Sequence, residues 1–115
     1  MKIDLHIHTT YSDGVFSPEK VVDAAIDAGL DAIAITDHDN VLSYPIAKAY
    51  LEKIQPADTQ KPLTLIPGIE INTIYKGYEV HILVKKVNHL IHNQVKLSKF
   101  LVSWQLKTRY LFGLF

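Results

Sequence analysis

Apolar and polar residues alternate from the first positions of the chain. In KIDLHI, Ile3, Leu5 and Ile7 recur at every second residue, the period of a β-strand, and predict one buried face. His6 and His8 occupy intervening positions, so their side chains project together from Cα atoms about 7 Å apart. The alternation then stops. TTYSDGVF has no period and contains the turn pair Asp13-Gly14, so it reads as a loop. Helical spacing begins after Ser17, with Val21, Val22, Ala25, Ile26 and Ala28 on one apolar face. Ser17 supplies an N-cap oxygen, Pro18 fits the first helical position, and Glu19 suits the positive end of the helix dipole. Gly29 provides the stop. DAIAIT follows as a short apolar run, the pattern of a parallel strand covered on both faces. A strand, a helix and a strand within 36 residues predict a right-handed βαβ unit.

Beyond that unit lie the polar cluster TDHDN and a second helix, expected over about Ser43 to Ile54. QPADTQKP reads as a loop, followed by apolar LTLI and then PGIEINTIY. Lys76-Gly77 reads as a turn that pairs EINTIY with YEVHILV in a hairpin. Strands alternating with helices predict an α/β sheet or barrel, and no internal repeat interrupts the pattern.

Composition adds bounds to this picture. A chain of 115 residues accommodates one compact domain. With 48% hydrophobic and 21% charged residues, it has the make-up of a soluble globular protein. The absence of cysteine excludes disulfides and thiolate zinc sites. The opening MKIDLHIH lacks the apolar core of a signal peptide, and no uncharged apolar run reaches membrane-spanning length. A cytoplasmic location without membrane association is the expectation. Charge divides the chain in two. Residues 1–84 hold all 12 acidic and 6 of the 12 basic residues, whereas 85–115 hold Lys85, Lys86, Lys96, Lys99, Lys107 and Arg109 and no acid. A net acidic first segment argues against stable nucleic-acid binding, and metal ions would offset its carboxylates.

Ligands in α/β sheets and barrels bind at the carboxyl ends of the parallel strands. The first strand delivers His6 and His8 there, with Asp13 on the following loop, and the second delivers Asp37, His38 and Asp39. Glu70 follows Pro67-Gly68 between Ile69 and Ile71, and the hairpin's return strand brings His81 between Val80 and Ile82. Singly, each has a plainer reading: Glu70 as a solvated carboxylate, His81 as a core histidine, Asp13 as a turn former, Asp37 as a helix cap. Four histidines and two carboxylates at four segment exits point instead to a shared metal site. Its nitrogen and oxygen donors suit Zn²⁺, Mn²⁺ or Fe²⁺. His89 and His92, far from any carboxylate in sequence, read as surface residues.

Here the wording becomes specific. DLHIHTTYSDG, ITDHDN, PGIEIN and EVHIL, in this order, resemble the successive motifs of the PHP (polymerase and histidinol phosphatase) family of metal-dependent phosphoesterases. The resemblance covers residues 1–84 and implies the N-terminal portion of a distorted (βα)₇ barrel with up to three divalent metals at its mouth. It assigns His6 and His8 to the first metal, Asp13 and His38 to the second, Glu70 as a bridge between the first and third, and His81 to the third. Asp37 and Asp39 receive no metal role from it; an orienting role toward His38 is the expectation. It also implies hydrolysis of a phosphate ester on a small nucleotide, a nucleoside bisphosphate or short oligonucleotide, by metal-activated water.

After EVHIL the likeness ends. The family's later ligands, typically an Asp-x-His pair and a further histidine or cysteine, have no counterpart, and residues 85–115 form a divergent basic and apolar tail. A truncated or frame-shifted gene predicts this pattern, as does a deliberate short variant; the former gives a catalytically weak or inactive remnant that binds metal or a partner. Val95, Leu97, Phe100, Leu101, Trp104, Leu111 and Phe115 fit a helix covering the edge of an incomplete barrel. They fit a basic amphipathic helix on an anionic membrane or a partner less well, being too scattered for a clean apolar face. An open barrel edge also predicts self-association.

Overall fold

A computed structural model describes residues 1–85, so the expectations for the tail, its helix included, and for His89 and His92 lie outside the described residues. The elements run β1 (Ile3–Ile7), α1 (Pro18–Asp27), β2 (Ala32–Ile35), α2 (Ser43–Ile54), β3 (Thr64–Tyr75) and β4 (Tyr78–Lys85). The four strands form one curled half-barrel sheet in the order β1-β2-β3-β4. β1, β2 and β3 run parallel, and β4 returns antiparallel to β3. The βαβ unit and the hairpin therefore form as the residue pattern predicts. Among the described residues, no helix is long and apolar enough to cross a membrane.

Local chemistry sets the boundaries. The Ser17 hydroxyl accepts from the Lys20 N–H at 3.3 Å, and Gly29 leaves α1 at φ +67°. Tyr75 pairs with Tyr78 across a two-residue turn in which Lys76 and Gly77 both have positive φ, as a tight hairpin requires. Val21, Val22 and Ala25 of α1, Ala47 of α2, and Leu63 pack on Ile33 and Ile35 of β2. Both helices thus cover one face of the sheet. The other face is left for chemistry.

Two expectations change. Ile3 is 46% exposed, because β1 is an edge strand and only its far end, at Ile7, reaches the core. β3 is also continuous, whereas the sequence reads as two pieces on either side of Pro67-Gly68. Its first part pairs with β2 as far as Ile35↔Pro67, and its second part pairs with β4 from Gly68 onward. The strand changes partner where proline cannot donate, so the missing N–H breaks no continuous ladder. Gly68 permits the close crossing: a Cβ there would lie 2.8 Å from Thr36 Cγ2 and 3.0 Å from the Ile35 carbonyl.

Candidate metal centre

Every residue of the expected ligand set reaches one end of the sheet. β1 ends at Ile7, so His6 projects from the end of the strand and His8 lies just past it, their rings 5.0 Å apart. The loop after His8 folds back tightly. Gly14 donates to the Thr9 carbonyl at 2.9 Å, and a Cβ at Gly14 would fall 2.2 Å from the His8 carbonyl oxygen. Only glycine fits that approach, and it brings the neighbouring Asp13 back onto His8. Past β2, the Glu70 N–H donates to the Asp37 carbonyl and the Asp39 N–H to the Glu70 carbonyl. This backbone clamp places His38 beside Glu70. In the hairpin His81 lies opposite Asn72, two residues from Glu70 and on the same face.

Glu70 is the centre of the cluster, with its side chain 3% exposed. Its Oε2 lies 2.8 Å from His6 Nε2 and 2.6 Å from His8 Nε2, and its Oε1 accepts from His81 Nδ1 at 2.8 Å. His8 Nδ1 donates to Asp13 Oδ1 at 2.6 Å. Asp13 Oδ2 lies 3.1 Å from His38 Nε2, and His38 Nδ1 donates to Asn72 Oδ1 at 2.9 Å. Three groups could each hold an ion: His6, His8 and Glu70; His8, Asp13 and His38; His38, Glu70 and His81. Their shared members make the groups one continuous cluster.

The donor set fits a divalent cation. With its proton on Nδ1 toward Asp13, a neutral His8 turns the Nε2 lone pair toward Glu70 Oε2, and His6 Nε2 lies 3.0 Å from the same nitrogen. A cation between the three atoms would satisfy them together, in place of the proton that His6 Nε2 otherwise shares with Glu70 Oε2. Donors bound tetrahedrally to zinc at 2.0–2.2 Å stand roughly 3.3 Å apart. Small outward shifts of these side chains would reach that spacing.

The charges agree. Burial alone would raise the Glu70 pKa, but hydrogen bonds from His6 and His81 outweigh it and hold the carboxyl below its ordinary value. Burial likewise opposes a charge on His38, yet the Asn72 amide oxygen and the charges of Asp13 and Glu70 raise its pKa. The hydrogen bond from His8 holds Asp13 low. The carboxylates therefore stay ionised and ready for a cation.

Asp37 and Asp39 sit behind this cluster. The Asp39 carboxylate accepts from the Asn72 N–H at 2.9 Å, and its backbone takes φ +54°, which a short acidic residue tolerates. Asp37 is 1% exposed and its carboxylate faces Thr9 and Ser12, not the His38 ring. Sequence reasoning missed three contributors: Thr9, Ser12 and Asn72. Asn72 was within reach of the two-residue period, because it shares a strand face with Glu70. Thr9 and Ser12 lie in a loop without a period, and no comparable signal marked them.

The molecule is thus an α/β half-barrel with linked histidine–carboxylate groups, able to hold divalent ions, at its strand ends. The chain belongs to the PHP domain family, whose sequence model matches residues 4–111. It is 42% identical over 79 residues to the 5'-3' exoribonuclease Rnm of Salmonella typhimurium, covering 69% of this chain and 25% of that protein. It is 30% identical over 80 residues to the 3',5'-nucleoside bisphosphate phosphatase of Chromobacterium violaceum, covering 70% of this chain and 26% of that protein. Among solved structures, a Bifidobacterium adolescentis protein described as a metal-dependent phosphoesterase superposes with a TM-score of 0.65 at 30% identity, over 84% of this chain and 32% of that one. The chain thus spans about a quarter of the length of these two curated relatives.

Proposed function

We propose that this chain carries part of a metal-dependent phosphoesterase centre acting on phosphate esters of small nucleotides. The observation that carries the reading is the convergence of His6 Nε2, His8 Nε2 and Glu70 Oε2 within 2.6–3.0 Å of one another. His6, His8 and Glu70 would hold a first ion, Asp13 with His38 a second, and Glu70 with His81 a third. Divalent ions such as Mn²⁺, Zn²⁺ or Fe²⁺ would supply an activated water and offset charge on the phosphoryl oxygens. Six side chains shared among three groups leave coordination positions open for water and phosphate oxygens. The nucleotide class rests on the exoribonuclease and the nucleoside bisphosphate phosphatase among the relatives.

The test has two arms. Purified chain supplemented with Mn²⁺ and Zn²⁺ should retain metal on elemental analysis, and the double change His6→Ala, His8→Ala should remove most of the first-site ion. Hydrolysis of a nucleoside 3',5'-bisphosphate should be slow and abolished by EDTA. Metal-free wild-type protein, or hydrolysis indifferent to the chelator, would overturn the reading. Metal retention without turnover would favour the second class of function, a domain that binds metal or a partner without catalysis.

A further inference from the structure

Among the described residues, Asp37 is the one buried carboxylate that faces no ligand of the proposed centre. It is 1% exposed and makes no ion pair with any of them. A buried charge without a cation is costly unless hydrogen bonds replace its lost water. Here three donors do so. Oδ1 accepts from the Thr9 N–H and the Ser12 hydroxyl, and Oδ2 accepts from the Thr9 hydroxyl, each at 2.7 Å. Thr9 is itself fully buried, and its hydroxyl accepts in turn from the Tyr11 N–H at 3.1 Å. Its carbonyl accepts from the Ser12 and Gly14 N–H groups at 3.1 and 2.9 Å.

In the loop from Thr9 to Gly14, Thr9 and Ser12 therefore hang on one carboxylate, while the Thr10 N–H donates to the Phe16 carbonyl and the Asn40 amide to the Tyr11 carbonyl. Asp13 stands within that loop, bridging His8 and His38. The Asp37 carbonyl also accepts from the Glu70 N–H at 3.1 Å, so the same residue fixes the loop to the strand that carries Glu70.

We infer that Asp37 is a positioning residue that sets the distance between Asp13 and the rest of the centre, and so the affinity of the ion shared by Asp13 and His38. It acts through the loop, not by orienting His38. The side-chain chemistry is selective for Asp. Asn offers a single acceptor oxygen and turns an NH₂ toward donors, so Asp37→Asn cannot receive all three hydrogen bonds as they stand. The His6, His8 and Glu70 group touches the loop only through the His8–Asp13 hydrogen bond and should lose less of its affinity. This inference rests on the metal-centre reading for its second measurement only.

The experiment uses the full chain and two readouts. In metal-free protein, amide hydrogen exchange at Thr9, Ser12 and Gly14 should be faster in Asp37→Asn and, more mildly, in Ser12→Ala, with the β3–β4 hairpin unchanged. In Co²⁺ titrations followed by visible absorption, Asp37→Asn should weaken the class of site that contains Asp13 by roughly 10–100-fold and the remaining sites clearly less. Asp13→Ala should abolish that same class, and adding Asp37→Asn to it should cost nothing further, the mark of action through Asp13. Unchanged exchange in both variants would overturn the inference whether or not metal binds. So would an additive loss in the double variant, or equal weakening of both classes. If Asp37→Asn fails to fold, Ser12→Ala decides alone, because it removes one donor and leaves the buried carboxylate in place. A wild type that binds no Co²⁺ would overturn the metal-centre reading, and the exchange comparison would still decide the role of Asp37 in holding the loop.

Discussion

At the scale of single residues, the centre depends on how each imidazole is told which nitrogen to present. Asp13 accepts a hydrogen bond from His8 Nδ1–H and so leaves its Nε2 lone pair for the cluster. Asn72 does the same for His38, whose Nε2 then faces Asp13. Glu70 orients no single ring. Its buried carboxylate instead supplies the negative charge on which His6, His8 and His81 converge. Replacing that charge with an amide of the same shape isolates its contribution. Glu70→Gln should retain the fold yet lose affinity for Zn²⁺ by at least the roughly 10–100-fold typical of losing an outer partner, since a direct donor is removed. Competition against a coloured chelator measures this, with circular dichroism as the control for folding. Affinity equal to wild type would mean that Glu70 is not a ligand.

At the scale of elements, β1 is held at both ends by different means. Its far end enters the core through Ile7, while its start is tied down by polar contacts. The Lys2 N–H donates to the Asp31 carboxylate at 2.6 Å, and Lys61 lies 3.1 Å from the same group. These contacts, the Lys2 hydrogen bond foremost, hold the Asp31 pKa below its ordinary value. A carboxyl with a depressed folded-state pKa stabilises the fold above its unfolded value, and that contribution disappears as pH falls through the folded value. Asp31→Asn should therefore melt slightly below wild type near neutral pH, with the gap closing in acid below the ordinary carboxylate range. A constant gap at all pH values would assign the effect to geometry instead of charge. Much of this layout was legible in the residue pattern: the Ser17 cap, the Gly29 stop, the βαβ unit and the Lys76-Gly77 turn are all local signals. The continuity of β3 was not, because Pro67-Gly68 has the local wording of a break. Its role as the place where the strand changes partner exists only once β2 and β4 are in position. The six proposed ligands were legible because strand exits share one mouth in such sheets. The hydrogen bonds that Thr9 and Ser12 make to Asp37 cross more than twenty residues of chain and leave no periodic trace.

At the scale of the whole molecule, a curled sheet closed by no further strand among the described residues has two free edges. Among the described residues, β1 pairs only with β2, and β4 only with β3. Free edges present unpaired N–H and C=O groups, and proteins usually blunt them with charge, proline or a covering element. β4 carries Glu79 and Lys85 near its ends, but the hairpin tip exposes apolar surface, with Ile74 at 68% and Tyr78 at 75%. Edge and apolar tip together predict concentration-dependent self-association through the hairpin. The metal centre lies farther back along β3 and β4, at Glu70 and His81, so the two properties should separate. Ile74→Lys places a cation directly across from Glu79, a favourable cross-strand pair, and Tyr78→Lys adds charge at the turn. The double variant should lower the weight-average mass by light scattering while leaving metal retention unchanged. A wild type that remains monomeric at high concentration would show that the free edge is already protected. Association undiminished by the two lysines would move the contact away from the hairpin, with the edge of β1 and its half-exposed Ile3 as the surface to change next.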